Sequence, residues 1–135
     1  MYKIIGELES LGDSGETLSR ILSRKNIHKK EFDSESIKNL NAMADTVSAA
    51  YDVMIENLTA ARKGELVEIS NAYNAEDRLN TLRNNLRDSV IENIDSKGDN
   101  YQTSVYFIDI INTYEQMGDF MINVSQDLER AFVKK

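Results

Sequence analysis

A chain of 135 residues with 29% charged residues, and without proline, tryptophan or cysteine, has the size of one domain. With no cysteine it can build neither a disulfide framework nor a thiolate metal site, and a formal net charge of −7 argues against a basic patch for nucleic acid or an anionic membrane surface. No apolar run approaches the roughly 20 residues of a membrane span, and no secretory signal is evident, so any membrane role has to come from sequence outside this chain.

Amphipathic periodicity dominates, and no long segment alternates like a strand. A first helix is expected from about Tyr2 to Ser23, with Ile4, Leu8, Leu11, Gly15, Leu18 and Leu22 on one face. A basic, polar loop over 24–30 follows and contains His28, the single histidine. The second helix is expected to start behind Asp33 or Ser34, both good N-caps. Its seam would run through Ile37, Leu40, Ala44, Val47, Tyr51, Met54, Leu58 and Ala61. Gly64 breaks the pattern, Glu65 opens a third helix reaching about Asp95, and Gly98 sits in its C-terminal cap region. The fourth helix spans about Tyr101 to Phe132. Short connections between long helices make the expected fold all-α, an antiparallel up-down four-helix bundle.

The first and fourth helices match one another. Tyr2–Leu22 aligns without gaps to Ile108–Leu128, with seven identities in 21 positions and a constant offset of 106. The identical pairs are Ile4/Ile110, Ile5/Ile111, Glu9/Glu115, Gly12/Gly118, Asp13/Asp119, Ser19/Ser125 and Leu22/Leu128. Shared apolar residues are common to amphipathic helices, but the shared E-x-x-G-D is not. A mid-helix glycine costs about 1 kcal/mol against alanine, and carboxylates four residues apart repel by a few tenths. The same two unfavourable choices in register point to a duplication with a common task.

These residues resemble the PhoU family, whose repeats end in a helix carrying an acidic E(D)-x-x-x-D motif. Here the motif stands as Glu9-Ser10-Leu11-Gly12-Asp13 and Glu115-Gln116-Met117-Gly118-Asp119. The stretches ELESLGDSGETLSRIL, YFIDIINTYEQMGDFMINV and AEDRLNTLRNNLR look like the PhoU-like domain of bacterial sodium/phosphate cotransporters. The resemblance implies a PhoU-like bundle on the cytoplasmic face of the inner membrane, tied to the transporter portion of the same polypeptide. It further implies regulation of phosphate uptake and multinuclear iron or zinc clusters at the motifs. One departure is that the first motif lies almost at the N-terminus. The expected organisation is therefore the last part of one repeat over 1–24 and a second repeat over 33–133, in a fragment of a longer transporter or in a free-standing, truncated relative.

Geometry allows the motifs to share a site. Glu76 and Asn80 lie 22 and 18 residues before Gly98, and Asp119 and Glu115 lie 21 and 17 after it, so the two pairs should be level within a couple of ångströms at about 1.5 Å per residue. Glu76 and Arg83 fall on or near the stripe of Ala72, Leu79, Leu86 and Val90. Charges placed there need a partner, either a salt bridge from Arg83 to Glu76 or Asp119 or a coordinated cation. Candidate metal ligands are Glu9, Asp13, Glu76, Asn80, Glu115 and Asp119, a hard oxygen set for iron or zinc, or else magnesium, calcium or manganese. Asp45 and Asp52 fall outside the second helix's seam and are expected in solvent, and Met43, Met54, Met117 and Met121 are expected to fill the core. No phosphate loop and no nucleophile–base constellation can be assembled, so an enzyme is not expected. Apolar residues on two faces of the fourth helix (Leu128 and Phe132, Ile108 and Ile122) suggest a homodimer. A metal-free helical adaptor and a free-standing phosphate-signalling regulator are the alternatives.

Overall fold

The computed structural model describes residues 2–27, 32, 34–65, 67–96 and 101–132. They form α1 (Tyr2–Ile27), α2 (Ser34–Arg62), α3 (Ser70–Ser96) and α4 (Tyr101–Phe132), with no strand among them. The chain is an all-α bundle organised around α4, which packs against each of the other three helices. α2 also packs on α3, whereas α1 packs on α4 alone among the described residues.

The first helix is longer than its periodicity suggested and continues through Arg24 to Ile27. Nothing in that stretch breaks a helix, and basic side chains suit a helix C-terminus. The expected turn at Gly98, and His28, lie outside the described residues. α2 ends in a Schellman arrangement: Glu65 N–H donates to Ala60 C=O at 2.9 Å and Gly64 N–H to Ala61 C=O at 3.1 Å. Gly64 takes φ 74°, a left-handed conformation that glycine alone adopts freely.

α3 begins at Ser70 rather than Glu65. Val67 and Ile69 are non-helical and buried, so the short alternating run before the helix is an anchored connector. The first turn closes with Tyr73 N–H donating to Ile69 C=O at 3.1 Å.

The α2 seam is rotated from the expected one. Met43, Val47, Ala50, Met54, Asn57 and Ala61 are buried, whereas Ile37 and Tyr51 remain exposed. Leu8 and Leu22 of α1 are likewise outside the core, because α1 has only α4 to cover it. Of the α4 residues that suggested a homodimer, Ile122 and Leu128 are buried within the chain and Ile108 is half-buried, while the side chain of Phe132 lies outside the described ones. Met43, Met54 and Met121 fill the core as expected.

α1 crosses α4 antiparallel. Asn123 Nδ2 donates to Glu7 Oε2 at 3.4 Å, and further along Ser10, Asp13 and Thr17 line a shallow cleft with Gln116 and Phe120. Five residues on from Glu7 and five back from Asn123, Gly12 comes level with Gly118. The two copies of the repeated motif thus stand at the same height on antiparallel helices, while Gly12 has no neighbour within 4 Å of where a Cβ would lie.

Candidate carboxylate site between the last two helices

The α3–α4 hairpin has the register expected from the sequence. Leu79 of α3 lies against Gly118 of α4, so closely that a Cβ at Gly118 would strike its side chain. That contact brings Glu76, Asn80 and Arg83 on α3 alongside Glu115 and Asp119 on α4. The Arg83 guanidinium pairs with Glu115 at 3.6 Å, with both side chains about one-fifth exposed. The salt bridge expected from the sequence is thus made, but to Glu115 rather than to Glu76 or Asp119. Arg83 sits seven residues above Glu76, two helical turns, and Glu115 is the carboxylate of α4 at its height.

Burial and mutual repulsion set the protonation behaviour of this cluster. Desolvation pushes the Glu76 carboxyl above its ordinary value, and the Asp119 and Asp77 charges add to the shift. A hydrogen bond from the Asn80 amide opposes it. Desolvation raises Glu115 as well, reinforced by the charge of Asp119 and by a hydrogen bond with it, and opposed by Arg83. Glu76 and Glu115 also feel each other directly. Three carboxylates therefore crowd together, and Arg83 pairs with one of them, Glu115. The Arg83 Nε is buried and has no hydrogen-bond partner among the described residues.

The space beneath Glu76 is small. A cavity of about 10 Å³ is bounded by Ala50, Ala72, Ala75, Gly118, Met121, Ile122 and Ser125, about the room one water needs. Any larger ligand would have to approach the carboxylates from the solvent side. Among the described residues no three histidine, cysteine or acidic side chains converge closely enough to coordinate one ion. Holding a metal would therefore require these carboxylates to reorient, with Glu115 leaving Arg83.

The first motif is not part of this cluster. Glu9 and Asp13 are exposed, and neither enters an ion pair among the described residues. Asp13 lines the shallow α1–α4 cleft instead. Asp45 and Asp52 are exposed, as expected.

Sequence reasoning passed over the polar pin beside the carboxylates. Asn57 of α2 is buried and donates to Ser125 Oγ on α4 at 3.1 Å and to Asn71 Oδ1 on α3 at 3.4 Å. One signal was present: Ser125 is one of the seven residues repeated in α1. The chain was compared with known protein families, with curated proteins and with solved structures, and none of the three gives a match.

Proposed function

We propose that this chain is a PhoU-like regulatory module of a bacterial sodium-dependent phosphate transporter, with a cation-responsive carboxylate cluster between α3 and α4. The observation that carries the reading is the crowding of Glu76, Glu115 and Asp119, of which Glu115 pairs with Arg83 while Glu76 and Asp119 enter no ion pair among the described residues. A site with surplus carboxylate charge takes up a proton or a metal cation. Glu115 and Asp119 would be the principal ligands, with Glu76 and Asn80 adding oxygens. Such a set suits iron or zinc, and magnesium or calcium next. Glu9 and Asp13 would be the remnant of an equivalent site on α1, completed by further helices in a longer polypeptide.

The transporter assignment rests on the resemblance of the repeated E-x-x-G-D and its flanking segments. No described helix is long and apolar enough to cross a membrane, so in this reading the spanning role falls to another part of the polypeptide. In this reading the module lies on the cytoplasmic face and alters transport when its cation is gained or lost.

Elemental analysis of the purified protein and calorimetric titration with ferrous, zinc and magnesium ions test the cluster. Binding that disappears in the E115A/D119A double variant while helicity persists is the expected result. No uptake of any of these ions, together with an unaltered or raised melting temperature in the double variant, would reject the cation site. That outcome would favour a second reading, a metal-free adaptor, which the existing Arg83–Glu115 pair supports.

A further inference from the structure

A guanidinium of the chain itself occupies the carboxylate cluster. Arg83 Nη1 lies 3.6 Å from Glu115 Oε1, on a side chain that would be a principal ligand of a bound cation. Desolvation, the charge of Asp119, a hydrogen bond with it and the charge of Glu76 all work against an ionised Glu115. Arg83 alone works for it. It supplies to Glu115 what a metal ion would supply, a positive charge against a desolvated carboxylate.

The pair is nevertheless poorly made. At 3.6 Å it is longer than the roughly 2.7–2.9 Å of a charge-assisted hydrogen bond. A guanidinium carries a fork of N–H donors, and here the Nε–H is buried with no partner among the described residues. A buried donor without an acceptor opposes the arrangement that buries it. A way out is present as well. Both side chains of the pair are about one-fifth exposed, and the α3 positions just beyond, Asn84, Asn85 and Arg87, are exposed. The arginine stem is long and unbranched, so it can stay against the bundle while its head swings into water. On leaving, Arg83 gives up one long ion pair and its Nε–H gains a water acceptor. Glu76 and Asp119 enter no ion pair among the described residues, so the cluster is closed at Glu115.

We propose that Arg83 is a tethered competitor for the cation site, holding Glu115 in the cation-free chain and swinging out to solvent when a metal cation is bound. The inference rests on the cation-site reading and adds a threshold to it. Uptake becomes an exchange of one positive charge for another. It is also reported outside the cluster, by a guanidinium newly presented on the surface of α3.

Calorimetric titration with ferrous, zinc and magnesium ions tests the competition, and nitrogen-15 NMR of the Arg83 Nε–H tests the movement. R83Q, checked for helicity by circular dichroism, should bind at least one of these ions about tenfold more tightly than the unmodified chain, because a competing charge a few ångströms away is gone. Arg87→Gln removes the same charge from an exposed site one turn further along α3, and should change affinity by no more than about threefold. In the unmodified chain the buried Nε–H should exchange with solvent several-fold faster once zinc or magnesium saturates the protein. Equal or weaker binding by R83Q, or the same gain in R83Q and R87Q, would overturn the competitor role and leave the cation site standing. Unaltered Nε–H exchange on saturation would do the same without recourse to a variant. No ion bound by either the unmodified chain or R83Q would overturn this inference and the cation site together.

Discussion

A methyl group on Gly118 would drive into Leu79, which is fully buried, whereas one on Gly12 meets no atom within 4 Å. The two glycines stand at the same place in the repeated motif, yet their substitutions should have opposite signs. Gly118→Ala gains helix propensity but forces Leu79 off its rotamer in a packed core, for a net loss of about 1–2 kcal/mol. Gly12→Ala gains about 0.5–1 kcal/mol of helix propensity with nothing displaced. Urea denaturation measures both. Equal destabilisation by the two would mean that α1 is packed more tightly than its exposure indicates. The sequence could show that both glycines are unusual, because a glycine repeated in register inside a helix has a cost. It could not show which one has a neighbour, since that depends on the helix opposite.

At the scale of elements, the helices and their order were legible, because periodicity over 26 to 32 residues is a strong signal. The α3–α4 register was legible for a simpler reason: a short hairpin fixes heights by counting residues from its turn. The start of α3 was not, since Glu65 to Ile69 fits a helix by composition and only the buried sites of Val67 and Ile69 hold it outside one. The α2 seam was misjudged because hydrophobicity alone does not rank Tyr51 against Asn57. Asn57 is inside because it can donate to both Ser125 and Asn71. Asn57→Ala should therefore cost about 1–3 kcal/mol, the penalty for leaving buried polar partners unmet. Adding Ser125→Ala should cost less than the sum of the single changes, because both remove one bond. Thermal melts of the two single variants and the double variant decide this. Strict additivity would show that the bond across α2 and α4 contributes nothing.

For the whole molecule, the cluster ties stability to pH in a direction that a simple count of acidic residues does not give. Glu76 and Glu115 both sit above the ordinary value of 4.5 in the folded chain, chiefly through desolvation. Between that value and their raised ones the folded state holds more protons than the unfolded state. Their contribution is fully present below the ordinary value and is lost as pH rises through the raised values, so the fold is weaker near neutrality than in mild acid. Glu76→Gln removes a charge from this group while keeping an acceptor and adding a donor. It should raise stability near pH 7 by about 0.5–1 kcal/mol, the scale of a partly screened charge interaction. It should have little effect below the ordinary carboxylate range and should flatten the fall between the two. Chemical denaturation across that pH range, in a chelator to strip any cation, gives the profile for both proteins. If instead the unmodified chain grew steadily more stable from mild acid to neutrality, Glu76 would have to be ionised at little cost. The surplus of carboxylate charge that makes the α3–α4 face attractive to a cation would then already be compensated within the fold.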